Sequence, residues 1–175
     1  MLHHFETEHL LPVPIERVFL FFANPANLPR IMPLWSGARL LRVSLVSPAR
    51  TQAASATVTD QEPIAGVGSE IVVSIRVLPF LPIRMNWVSE ITAFEWNHKF
   101  ADVQKKGPFK SFYHRHELRA ERGGTIVRDA IDYDIGFGWP GILANILFTK
   151  PLLRKMFQYR QRAVERLLTT SPLVH

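Results

Sequence analysis

Residues 100–134, FADVQKKGPFKSFYHRHELRAERGGTIVRDAIDYD, hold two turn signals, one at Gly107-Pro108 and one at Arg122-Gly123. The segments between them alternate. From Phe112 to Arg119 the even positions are Phe112, His114, His116 and Leu118, and the odd ones are Tyr113, Arg115, Glu117 and Arg119. A period of two sends the first set to one face of a strand and the charged set to the other. In Trp96 to Gln104 the residues Trp96, His98, Phe100, Asp102 and Gln104 share a face in the same way. Consecutive alternating segments joined by short turns read as an antiparallel sheet with one less charged face turned inward.

Outward from this stretch the pattern continues. His3 to Leu11 reads as a first strand, ended by Pro12 and Pro14, and Pro14 opens a short helix over Ile15–Phe22. Asn24 caps a second short helix that Pro33 stops. Leu40 to Thr59 carries no clear period. Ser69 to Leu78 places Ile71, Val73, Ile75 and Val77 opposite Glu70, Ser74 and Arg76, and Arg84 to Phe94 places Met85, Trp87 and Ile91 opposite Arg84, Asn86 and Glu90. The chain ends in a helical segment, Pro140–Leu168, whose Leu143, Ile146, Leu147, Leu153, Met156, Phe157, Val164 and Leu167 follow three-and-four spacing, with a kink or division expected at Pro151. A sheet with one apolar face needs a cover, and this helix is the element long enough to supply it. The expected class is α+β: a curved antiparallel sheet wrapped around a long C-terminal helix, with two short helices after the first strand. Residues 1–170 are read as one domain and 171–175 as a frayed tail.

With 175 residues, 47% hydrophobic and 21% charged, the chain is large enough to bury a real core. It has no cysteine, which excludes disulfides and thiolate metal sites. The first residues lack the basic-then-apolar pattern of a signal peptide, and the longest apolar run, Trp139–Phe148, is interrupted and far short of the roughly 20 residues of a membrane span. A cytoplasmic location is expected. The net charge of +6 is spread, with Glu117, Glu121, Asp129 and Glu165 among the lysines and arginines, so it reads as a solvated basic surface and no nucleic-acid partner is expected.

Four stretches carry a resemblance: LPVPIERVFLFFANPANLPRIMP (11–33), FADVQKKGPFKSFYHRHEL (100–118), GGTIVRDAIDYDIGFG (123–138) and LFTKPLLRKMFQYRQRAVERLL (147–168). Together they resemble the START-like or Bet v 1-like helix-grip proteins, the polyketide cyclase and ligand-binding SRPBCC group, over almost the whole chain. The resemblance implies a cavity between sheet and helix for a lipid-like, polyketide-like or other apolar ligand. One departure is Gly136, where a proline often precedes Phe-Gly.

A short loop at Lys106, Gly107 and Pro108 would pair Phe100 with His114 and His98 with His116. A two-residue turn at Arg122-Gly123 would pair His116 with Asp129, Leu118 with Val127 and Phe112 with Tyr133. His98, His116 and Asp129 would then form a row across three strands. Three roles compete for it. It could be a hydrogen-bonded polar row within a cavity, or a metal site, although no specific metal signature is present and neither metal nor cofactor is expected. It could instead be an acid–base site with His116, His98 and Asp129 as catalytic candidates and Tyr133 or Asp102 holding a substrate oxygen. Expected ligand-binding residues are His114, His116, His98, Phe100, Phe112, Trp87, Tyr133 and Asp129. Trp96 and Trp139 are further aromatic candidates for the pocket, and Arg160 or Tyr159 could meet an anionic ligand group. The leading function is binding of an apolar small molecule. The alternatives are a cyclase or dehydratase using the same cavity and a module that meets a membrane surface or another protein; the oligomeric state is left open.

Overall fold

The computed structural model describes residues 1–49, 63–76 and 83–170. Its strands are β1 (His3–Leu11), β2 (Arg39–Ser44), β3 (Glu70–Arg76), β4 (Arg84–Glu95), β5 (Lys99–Lys106), β6 (Ser111–Glu121) and β7 (Gly124–Asp134). They form one antiparallel sheet in the order β1-β7-β6-β5-β4-β3-β2. The first two strands thus lie at opposite edges. Helix α1 (Ile15–Ala23) and two 3₁₀ turns (Pro25–Ile31 and Leu34–Ser36) carry the chain between them. Pro14 sits at the start of α1, and the Asn24 side chain accepts from the Ala26 N–H at 3.0 Å to cap the next turn.

The β6–β7 hairpin has the expected register, with His116 opposite Asp129 and Phe112 opposite Tyr133. Its turn is closed by Gly123 at φ +96°, and a Cβ on Gly124 would collide with the Leu11 carbonyl, so glycine is required there. The β5–β6 register differs from expectation by two residues. Phe100 faces His116 and Asp102 faces His114. The loop between these strands is wider than a tight turn because the Gln104 amide spans it, donating to the Phe109 carbonyl at 2.7 Å and accepting from the Phe109 N–H at 3.3 Å. His98 falls in the β4–β5 turn, exposed, with Nδ1 2.9 Å from Glu95, and the row through His98 does not form.

Residues 77–78 of the strand expected over Ser69–Leu78, residues 50–59 of the aperiodic stretch and the tail 171–175 lie outside the described residues. In β3 the second face is buried as well, since Ser74 accepts a hydrogen bond from the Arg84 side chain. Register shifts at Val88/Ser89 and Ile91/Ala93 mark irregularities in β4, of the kind that bend a strand and help a sheet curve.

The last helical segment runs from Gly138 to Thr169 as α2 (Gly138–Ala144), a π turn (Asn145–Thr149) and α3 (Lys150–Thr169). Pro151 explains the π turn: it has no N–H for the Leu147 carbonyl, and the Lys150 N–H reaches back to Asn145 instead. The extra residue shifts the phase of the apolar stripe. In α3, Leu153, Phe157, Arg160, Ala163, Val164 and Leu168 are buried. Before Pro151 the expected core positions Leu143, Ile146 and Leu147 are exposed, with Leu147 at 55%, and Asn145 turns inward to accept from the Tyr133 hydroxyl at 2.6 Å.

Candidate functional site

A cavity of about 160 Å³ lies between the 3₁₀ region, strands β3 to β6 and α3. Phe22, Leu28, Ile75, Trp87, Ile91, Phe112 and Phe157 give it apolar walls; Asp102, His114, His116 and Arg160 give it one polar side. Each polar group arrives by a local rule. His114 and His116 are two apart on β6 and so share its inward face, Asp102 comes from β5 opposite His114, and Arg160 follows Phe157 by three on the buried stripe of α3.

Asp129, opposite His116 on β7, is 1% exposed and lies beneath both imidazoles. Its Oδ1 is 3.0 Å from His114 Nε2 and 2.6 Å from His116 Nδ1; the first is an aligned hydrogen bond and the second a close contact of poorer angle. The other two ring nitrogens, His114 Nδ1 and His116 Nε2, each stand 3.9 Å from Asp102 Oδ1. The rings are 3.8 Å apart, and His116 stacks on Phe100 at 4.3 Å.

Burial, with repulsion from His114, pushes His116 down to about 3, so its imidazole is neutral at physiological pH. Burial works against a charge on Asp129, but His116, Arg160 and the imidazole contacts outweigh it and hold the carboxyl well below its usual range. Burial raises Asp102, with His114 and Arg160 acting against that shift. Three ligand atoms, one each from Asp102, His114 and His116, lie within 4.8 Å of one another and are the candidate metal donors among the described residues.

Of the expected residues, Trp87, Phe100, Phe112, His114 and His116 line the cavity. Asp129 supports it from below. Tyr133 is fully buried but spends its hydroxyl on Asn145, and Trp139 is 78% exposed. Trp96 packs on Phe19 and Phe94. Arg160 is 9% exposed, its guanidinium lies 5.2 Å from the Phe22 ring centre and 5.6 Å from that of Phe157, and its buried Nε has no hydrogen-bond partner among the described residues. His9 was not anticipated. It is half-buried on β1, and its position on the same strand face as Phe5 and Leu11 is the signal that the sequence offers.

An antiparallel sheet closed by a C-terminal helix over an apolar cavity defines a small hydrophobic-ligand-binding domain. The family model described as polyketide cyclase / dehydrase and lipid transport matches residues 11–158, and the chain belongs to that family. No curated protein is significantly similar in sequence. Similar solved structures include TTHA0849 from Thermus thermophilus (15% identity, TM-score 0.68, 97% of this chain and 100% of that one). They also include the di-domain ARO/CYC StfQ from the steffimycin biosynthetic pathway (10%, 0.69, 97% and 51%) and a Thalictrum norcoclaurine synthase point mutant in complex with a transition state analogue (10%, 0.61, 97% and 96%). At such identities the likeness is one of fold. No helix among the described residues is long and apolar enough to cross a membrane.

Proposed function

We propose that the protein binds an apolar small molecule bearing one anionic oxygen group, with its hydrocarbon part against Trp87, Ile91 and Phe112 and its oxygen on Arg160. The observation that carries this reading is the buried Arg160 on the cavity wall, whose Nε has no hydrogen-bond partner among the described residues. A guanidinium removed from water costs free energy that two aromatic faces and the neighbouring Asp129 charge offset only in part. A ligand carboxylate or enolate would supply the missing acceptor. The cavity volume is close to that of an engineered protein cavity of roughly 150 Å³ that admits benzene, so a ring-sized group fits without rearrangement.

Calorimetric titration with 3-phenylpropionate and with 3-phenylpropanol tests the reading. The carboxylate binds more tightly to the wild type, and Arg160→Met removes that preference, at least about tenfold, while leaving the alcohol's affinity alone. An equal effect on both compounds would overturn it.

The arrangement of His116 favours a second reading, a cyclase or dehydratase. His116 Nε2 stands 3.9 Å from Asp102 on the polar side of the cavity, with Nδ1 2.6 Å from Asp129, so imidazole and carboxyl form a pair through which a proton could pass to or from a bound ligand. Exchange of the protons next to a bound ketone's carbonyl, followed by NMR in heavy water, would distinguish this from simple binding.

A further inference from the structure

The two-residue difference in the β5–β6 register has a chemical consequence. It removes His98 from the histidine row and puts Asp102 beside the cavity-facing nitrogens of His114 and His116. We propose that Asp102, His114 and His116 form a binding site for a divalent metal ion of the zinc class, using Asp102 Oδ1, His114 Nδ1 and His116 Nε2, with Asp129 as the outer carboxylate that positions both imidazoles.

The geometry supports this in four ways. The three donor atoms lie within 4.8 Å of one another, and both nitrogen-to-oxygen distances are 3.9 Å. Zinc bonds of about 2.0–2.2 Å in a tetrahedron bring neighbouring donors to about 3.3 Å, so the site closes by small rotations of its side chains. Secondly, the donors are two imidazoles and one carboxylate, a set that suits zinc and its first-row neighbours and leaves positions open for a further ligand.

Thirdly, the outer contacts are those a metal-binding histidine needs. His114 Nε2 hydrogen-bonds Asp129 Oδ1 at 3.0 Å and His116 Nδ1 lies 2.6 Å from the same oxygen at a poorer angle, so each ring turns its second nitrogen to Asp129 and its remaining nitrogen toward Asp102. Packing holds these orientations: His116 lies between Phe100 and Phe22, and His114 meets Phe157 edge-on. Finally, the open side faces the apolar cavity. A dication together with Arg160 would bring three positive charges against the two carboxylates. The surplus suits an anionic ligand oxygen, although the metal site stands whether or not Arg160 receives one.

Equilibrium dialysis and visible spectroscopy with Co²⁺, in the absence of any organic ligand, test the site directly. The expected result is one Co²⁺ per chain with the visible bands of a low-coordinate nitrogen and oxygen environment, displaced by Zn²⁺. Asp102→Asn and His116→Gln abolish the bands, His98→Gln leaves them intact, and Asp129→Asn weakens binding about 10- to 100-fold and shifts the residual spectrum. Binding that is absent from the wild type, that survives Asp102→Asn and His116→Gln, or that is lost in His98→Gln would overturn the proposal. Should a variant fail to fold, ¹⁵N spectra of histidine-labelled wild-type protein remain decisive. Addition of Zn²⁺ shifts His114 Nδ1 and His116 Nε2, whereas a response confined to His4 and His98 would refute the site. Because no organic compound enters these experiments, their failure leaves the Arg160 reading standing, and the carboxylate-against-alcohol comparison leaves the metal site standing.

Discussion

His116 is held between the rings of Phe100, at 4.3 Å, and Phe22, at 5.9 Å, with Asp129 at its Nδ1. Such an environment keeps the imidazole neutral in the native state, with its proton affinity lowered to about 3, whereas in the unfolded chain it titrates near 6.5. The unfolded state therefore takes up the proton first as pH falls. The stability linked to His116 is complete above about pH 6.5 and is lost progressively between there and about pH 3, at up to about 1.4 kcal/mol per pH unit. Asp129 adds a loss of the same sign at lower pH, as the unfolded carboxyl protonates first, while the raised Asp102 opposes it. His9, also lowered by burial, contributes with the sign of His116. Urea unfolding between pH 7 and 4.5 in buffer containing a chelator should show wild-type stability falling toward acid, and a shallower fall in His116→Phe, whose ring has a similar volume. An identical slope in the two proteins would place the titration elsewhere.

Within the closing helix, the π turn before Pro151 separates residues that cover the sheet from residues that do not. Phe157 is 2% exposed and contacts Phe5 and His114; Leu147, ten residues earlier, is mostly exposed. Phe157→Asp is expected to destabilise by several kcal/mol, since it creates a cavity and buries a charge, whereas Leu147→Asp stays within about 0.5 kcal/mol. Thermal and urea unfolding of both variants check this, and equal losses would show that α2 packs on the core. The break itself was legible, because a proline inside a long helical pattern has few outcomes; the facing of the turn before it was not, because a π turn has no local signature in LFTKP. The two hairpins make the same distinction. A glycine turn of two residues pins β6 to β7 and placed Asp129 correctly against His116, whereas the β5–β6 loop is held by the Gln104 side chain reaching the Phe109 backbone. That contact is not a turn rule. With His98 spent in the β4–β5 turn, the β5–β6 register sets Asp102 against the histidines, so the pair and the carboxylate behind it were legible in the sequence and the carboxylate in front was not.

Over the whole molecule, the apolar surface is unevenly distributed. Phe137, Trp139, Leu143, Ile146, Leu147 and Phe148 are all exposed on the segment entering α3, and the exposed cations Lys150, Arg154 and Lys155 follow directly. A run of this size with an aromatic at either end is more than the scattered apolar residues of an ordinary surface. Aromatic and aliphatic side chains bordered by lysine and arginine suit the interface of an anionic bilayer, where the rings enter the headgroup region and the cations meet lipid phosphates. The net charge of +6 adds a long-range attraction of the same sign. We expect the protein to adsorb to vesicles containing phosphatidylserine and not to purely zwitterionic ones. Adsorption should weaken steeply as salt shortens the reach of the charges, and Trp139 fluorescence should shift to the blue on binding. Trp139→Ser combined with Phe148→Ser removes the apolar part, and Lys150→Glu combined with Arg154→Glu removes the electrostatic part. Because both pairs are exposed, the fold survives either change, so sedimentation with vesicles reads the surface alone. Equal sedimentation of wild type and both double variants, or adsorption indifferent to lipid charge, would mean that this face does not meet anionic lipid.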